Sequence, residues 1–130
     1  MLVETEVTYS GENGLRYHPM VVRASANRTA DSTGYAISNE NFTRDYNFDL
    51  TQVSAENLKW YDEYIEALKK RLPPDFEVGG FREKKNIVNP AKIAIVVFVQ
   101  DDKTKHILQS SYSAVKDTKS VGEAGSANVF

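Results

Sequence analysis

The chain contains no cysteine. Disulfides, thiolate metal sites, cysteine nucleophiles and dithiol redox pairs are therefore excluded together. Histidine is scarce, with two in 130 residues, and no G-x-S-x-G nucleophile elbow occurs. Neither sign of charge dominates: 16 basic against 18 acidic residues leave a formal net charge of -2. That balance offers no field suited to phosphate backbones, so no nucleic-acid partner is expected. The stretch FREKKN at Phe81–Asn86 does not reach the length of a nucleic-acid patch and also contains Glu83. Long apolar runs are missing too. The longest, Ile93–Val99, falls far short of the ~20 residues a membrane helix needs. The opening MLVETEVTYS has neither a basic n-region nor a long apolar stretch, so no signal peptide and no transmembrane segment are expected in this chain.

What is present suits one packed domain. A chain of 130 residues buries roughly two thirds of its unfolded surface and needs no disulfide or metal staple. Seven Tyr, six Phe and one Trp supply large side chains for a core with amphipathic rims. Leu2–Tyr9 alternates, and the face carrying Val3, Val7 and Tyr9 is apolar enough for a half-buried strand. SGENG at Ser10–Gly14 is turn chemistry. LRYHPMVVRA, Leu15–Ala24, reads as a second strand; Pro19 cannot donate to a ladder, which places that strand at an edge or bulges it there. After a polar loop, Tyr35–Ser38 reads as a short strand. The clearest alternation follows: Phe42, Arg44, Tyr46, Phe48 and Leu50 against Thr43, Asp45, Asn47 and Asp49, an antiparallel strand with one wet face.

At Ser54 the period changes. Leu58, Tyr61, Ile65, Leu68 and Leu72 recur at helical spacing, Ser54 suits an N-cap, and Pro73-Pro74 stops the helix, giving an amphipathic helix over about 54–72. Lys59 with Glu63 and Glu66 with Lys70 form i,i+4 pairs on its outer face. Phe81–Val88 reads as a short extended segment. Ala91–Gln100, the DDKT turn and Lys105–Val115 form a β-hairpin. Its first strand is apolar on both sides, with Ile93, Ile95, Val97 and Val99 on one face and Ala94, Val96 and Phe98 on the other. A sandwich strand needs only one apolar face, so the second calls for a cover, and the helix is the candidate. The expected fold is mainly β: an antiparallel immunoglobulin-like or fibronectin-like sandwich with one amphipathic helix packed on a sheet. Residues 1–116 make the domain, and 117–130, small, polar and aperiodic, make a tail.

No residue set spells out a reaction, and the chain is read as a non-enzyme with no cofactor. His18, Met20 and His106 offer a soft-metal set for Cu(I), against the plainer reading of a strand irregularity and a hairpin end; no metal site is expected. Asp101 and Asp102, with Asp31, are weighed as calcium ligands against a simple hairpin turn. Glu63 and Glu66 lie beside lysines on the solvated helix face and do not make an acid/base pair. Ser110, Ser111 and Ser113 with His106 lack any elbow around the serine. Trp60, Tyr64, Arg82, Lys84 and Lys85 mark a possible interaction surface. Tyr17, Tyr35, Tyr46, Tyr61, Tyr64 and Trp60 raise a carbohydrate-binding reading, although most of them fall on faces assigned to the core or the helix stripe.

Three segments carry a resemblance: NGLRYHPMVVR at Asn13–Arg23, NFTRDYNFDL at Asn41–Leu50, and FREKKNIVNPAKIAIVVFVQDDKTKHILQSSY at Phe81–Tyr112. Within the last, FVQDDKTK and ILQ are the most specific. Their order and spacing resemble the C-terminal β-sandwich domain of secreted bacterial thioredoxin-like and outer-membrane proteins, which include an outer-membrane protein family of Bacteroidetes and relatives in planctomycetes and acidobacteria. The resemblance implies a periplasmic, outer-membrane-associated or extracellular location. It implies no catalysis here, since any redox chemistry would sit on cysteines of a preceding domain, and it transfers no functional residue. The function expected is that of a non-catalytic accessory or interaction domain of an exported bacterial protein. It would dock to a neighbouring thioredoxin-like domain or another protein. A small-ligand or carbohydrate-binding module is the alternative.

Overall fold

Leu2 to Ala24 makes one antiparallel hairpin that is interrupted in its middle. A computed structural model describes residues 1–10, 13–28, 34–37, 41 and 43–116. In the hairpin, β1 (Leu2–Glu4) pairs with β4 (Val21–Ala24), and β2 (Val7–Thr8) pairs with β3 (Tyr17–His18). The register carries across the break: Val7 lies three residues beyond Glu4, and its partner His18 lies three before Val21, the partner of Glu4. The ladder fails between them for a local reason. Pro19 has no N–H, and Met20 takes a positive φ of 56°. Thr5 meanwhile turns its N–H to the Lys92 carbonyl at 2.7 Å, while Glu6 pairs with the Lys92 ammonium at 2.8 Å. The irregularity expected at Pro19 is thus the point where the chain passes from one sheet to the other.

The fold is small and β-rich, with two antiparallel sheets and one α-helix among the described residues. The larger sheet has the order β4-β1-β5-β6, where β5 is Ile93–Gln100 and β6 is Ile107–Ala114. β1 is central and antiparallel to both neighbours. β1 is buried more fully than the half-buried strand expected there. Leu2, Val3, Glu4, Ile93 and Ala94 are all buried, so both faces of β1 and of the start of β5 are covered. Burial fades along β5 toward the hairpin, where Phe98 is exposed. Val96 and Met1 exchange backbone bonds, the Val96 N–H donating to Met1 O at 2.9 Å and the Met1 amine to Val96 O at 2.6 Å. Partial burial holds that ammonium below its ordinary pKa.

Glu4 is tolerated inside because three donors meet it. Arg23 Nη2 and Nε lie 2.6 and 2.7 Å from its Oε2, and the Asn89 N–H donates to its Oε1 at 3.2 Å. The side chains of Arg23 and Glu4 are only 8% and 5% exposed. Asn89 also caps the 3₁₀ turn Pro90–Lys92 that leads into β5, accepting from the Ala91 N–H.

The segment expected as the clearest strand, Thr43–Asp49, is not one; Phe42 lies outside the described residues. Alternation makes a strand only where a ladder partner exists, and here the apolar positions pack locally. Tyr46 and Phe48 sit 4.8 Å apart, and Arg44 lies over the Tyr35 ring. Tyr35–Ile37 is likewise outside any strand, and Ser38 and the expected tail 117–130 lie beyond the described residues.

The chain divides into two compact units, Met1–Phe48 with Asn89–Phe130, and Asp49–Val88. The second holds α1, Leu50–Arg71, which starts four residues earlier than expected. Asp49 is its N-cap, accepting from the Thr51 and Gln52 N–H groups at 2.8 and 3.1 Å. Ser54, expected as the cap, is instead inside the helix and buried. Lys69, Lys70 and Arg71 occupy the last turn, where the dipole favours cations. No helix is long and apolar enough to cross a membrane among the described residues.

Replacing Glu4 with Ala should cost about 3–5 kcal/mol in urea denaturation, because it removes both short bonds to the buried Arg23 guanidinium and the acceptor of the Asn89 N–H. The double change Glu4→Leu with Arg23→Met should recover most of that loss, and a cost for Glu4→Ala below about 1 kcal/mol would contradict the buried-pair assignment. A second expectation concerns the β5–β6 turn. Thr104 donates to Asp101 through its backbone N–H and its hydroxyl, and Lys103 N–H adds a third bond; these hold the Asp101 pKa below its ordinary value. The turn's support is therefore complete above the ordinary aspartate range and is lost as pH falls through the lowered folded-state value. An NMR titration of the Thr104 amide should show a midpoint under the ordinary aspartate value of about 3.9; a midpoint at or above it refutes this account.

Candidate functional site

Unit Asp49–Val88 brings together side chains that lie far apart in sequence. After α1 the chain stops at Leu72, whose N–H still donates to Leu68 O, and Pro73-Pro74 prevents continuation. The following stretch returns along the helix without becoming a strand. It is held there by polar contacts. The Val88 N–H donates to Ser54 Oγ at 3.1 Å, Asn86 Nδ2 to the Ser54 carbonyl at 3.3 Å, and the Lys85 N–H to Tyr61 Oη at 3.3 Å. Ser54 Oγ in turn donates to Leu50 O at 2.7 Å, the back-bonding that lets a serine sit in a helix interior. Lys84 Nζ reaches Asp62 at 2.6 Å.

The same return places Phe81 among the helix aromatics. Its ring lies 4.6 Å from Tyr61 in a T-shaped contact, 5.8 Å from Tyr64 and 6.2 Å from Trp60. Trp60 and Tyr64 are four residues apart, hence on one face of α1, and their rings stack at 5.1 Å with planes 25° apart. Phe81 and Tyr61 are half-buried, whereas Trp60 is 52% and Tyr64 43% exposed. The result is a rigid aromatic ledge on a half-buried base. Each close aromatic pair contributes about 0.5–1.5 kcal/mol beyond its area, so the rings are ordered before any partner arrives.

Of the residues singled out in the sequence, Trp60 and Tyr64 form this ledge. Lys84 and Lys85 lie on the returning segment, paired with Asp62 and, at 2.6 Å, with Glu83; Arg82 is exposed between them and Phe81. Phe81 and Tyr61, the base of the ledge, are absent from that set. The signal that could have found Phe81 is an aromatic directly after Gly79-Gly80 and beyond a helix with aromatics at 60, 61 and 64. Tyr17, Tyr46, Trp60 and Tyr64, expected mostly on core or stripe faces, are exposed.

The remaining candidates occupy ordinary structural positions. His18 sits in β3 with its Nε2 3.2 Å from Tyr9 O, Met20 is the exposed positive-φ residue after Pro19, and His106 closes the β5–β6 turn, where its carbonyl accepts from the Asp101 N–H. Among the described residues no group of three His, Asp or Glu gathers to hold a metal. Asp101 Oδ1 is taken by the turn, Asp102 lies 3.8 Å from Lys105, and Asp31 lies outside the described residues. Glu63 pairs with Lys59 as expected, and Glu66 takes Lys69 instead of Lys70; that bond holds the Glu66 carboxyl below its ordinary pKa. Compared with protein-family models, curated proteins and solved structures, the chain matches none of them.

Phe81→Ala should strip the ledge of its base. The expected cost is about 2 kcal/mol, roughly half that of a fully buried phenylalanine, with a red shift of Trp60 emission in the still-folded protein. Unchanged emission and unchanged stability would show that Phe81 does not order the rings.

Proposed function

We propose that this chain is a non-catalytic accessory or interaction domain that docks to a neighbouring domain or a protein partner through the aromatic ledge of α1. The carrying observation is the exposed Trp60–Tyr64 stack, held in place by Phe81 and Tyr61. Aromatics and arginine are enriched where protein interfaces bury their centres, and a pre-ordered ring loses little conformational freedom on binding. Arg82, exposed next to Phe81, suits a partner with an acidic group at its rim, while Lys84 and Lys85 are already paired with Asp62 and Glu83.

The finer reading of the fold belongs to the same proposal: a divergent immunoglobulin-like or fibronectin-like sandwich of an exported bacterial protein, located in the periplasm, at the outer membrane or outside the cell. Two hairpins share its larger sheet, and the switch of sheet at Pro19 is the kind of corner such folds use. The resemblance of the segments around Asn13–Arg23 and Phe81–Tyr112 makes a thioredoxin-like domain the first partner to try.

A second reading, carbohydrate binding, draws on the exposure of Trp60 and Tyr64. It is the weaker one because the two rings stack face to face, so each covers a face that a side-by-side sugar platform would leave open.

The test is NMR titration of the full chain with a bacterial thioredoxin-like domain. Shifts centred on Trp60, Tyr64, Arg82, Lys84 and Lys85, and binding weakened about tenfold or more by Trp60→Ala, are expected. An unperturbed ledge counts against docking. Titration with oligosaccharides that shifts the same resonances would transfer the ledge to the second reading.

A further inference from the structure

The larger sheet has two outer strands among the described residues, and they are built differently. β4 is four residues long, follows Pro19 and carries Arg23. β6 is eight residues long, and from His106 to Val115 it contains no proline, no glycine and no Lys, Arg, Asp or Glu. Natural sheets guard solvent edges with short strands, charge or proline. β4 has such guards and β6 has none.

The backbone of β6 can be sorted residue by residue. Val96 exchanges both its bonds with Met1, so its N–H and C=O point to β1. Backbone groups alternate sides along a strand, so Ile93, Ile95 and Val97 face β6, as the Val115 N–H on Ile93 O at 3.0 Å confirms. Their partners Val115, Ser113 and Ser111 point inward. Ser110, Tyr112 and Ala114 therefore aim their N–H and C=O groups off the sheet; the alternation ends at Leu108, where the register with β5 shifts between Val99 and Gln100. The side chains of Ser110, Tyr112 and Ala114 share one face of the strand, with Tyr112 54% exposed.

We propose that β6 pairs antiparallel with β6 of a second copy of this chain, joining two four-stranded sheets edge to edge. The strand is self-complementary for this. Backbone bonding across a two-fold axis requires off-sheet residues to meet off-sheet residues. An axis through Ser111 sets Ser110 opposite Tyr112 and Gln109 opposite Ser113, with no like charges opposed. The axis stands perpendicular to the sheet, so the exposed Phe98 and Tyr112 lie on the same side in both copies and their strips become continuous.

Sedimentation velocity of the full chain across a dilution series should show a monomer–dimer equilibrium. Ser110→Pro removes one off-sheet N–H and no β5–β6 bond, and Ser110→Lys places a charge on the edge; each should weaken the dimer at least about tenfold. Hydrogen exchange reads the same geometry in the unmodified protein. The amides of Ser110 and Tyr112 should gain protection with concentration, while those of Ser111, Ser113 and Val115 stay protected throughout. A chain that is monomeric at every concentration overturns the proposal, as does a dimer in which the Ser110 and Tyr112 amides exchange equally fast at high and low concentration. Should Ser110→Pro unfold the chain, Ser110→Lys and the exchange pattern still decide.

Discussion

Three parts of the β unit meet at one carboxylate. Glu4 belongs to the central strand, Arg23 to the strand beside it, and Asn89 to the point where the chain comes back after the helical unit. A buried carboxylate is costly unless its oxygens are occupied, and here each oxygen has a donor. The arrangement sets the register of β1 against β4 and positions the 3₁₀ turn that launches β5. Once Ile93 is placed opposite Glu4, Val3 falls opposite Ala94 and Leu2 opposite Ile95, and the buried centre of the sheet is defined. Buried ion pairs of this kind contribute little to net stability compared with apolar substitutes. Their role here is to exclude other registers, since a slip of one residue would leave two charges buried apart.

The helical unit solves its own version of the same problem. A returning segment that is not a strand has backbone donors to satisfy, and α1 supplies side-chain acceptors for them in Ser54 and Tyr61. Moving the cap back to Asp49 releases Ser54 for this purpose. The tethers bring Phe81 under Trp60 and Tyr64, and the ledge follows from that placement. Structure and proposed function are thus linked through two hydroxyl groups: they fix where the return lies, the return fixes the base of the ledge, and the base orders the exposed rings.

The two proposed surfaces ask different things of a partner. The ledge presents rigid apolar rings beside cations and favours side-chain recognition. The β6 edge presents a row of peptide groups and favours another strand, with little dependence on side-chain identity beyond the absence of charge.

Much of the fold was legible in the residues themselves. The β5–β6 hairpin, the helix with its Pro73-Pro74 stop, and the irregularity at Pro19 follow from period, turn chemistry and the missing proline donor, all of which act over a few residues. Within the candidate site, Trp60 and Tyr64 were visible from their spacing. Three features were not visible, and each turns on a contact far along the chain. Thr43–Asp49 alternates like a strand but finds no ladder; Glu4 looks solvated until Arg23 and the Asn89 amide enclose it; Ser54 looks like a cap until Val88 claims its oxygen. Local pattern determined which segments are helix, hairpin and turn, because those depend on neighbours within a few residues. Tertiary structure alone decided which polar side chains are buried and which aromatics stay outside, because both depend on what the folded chain brings opposite them.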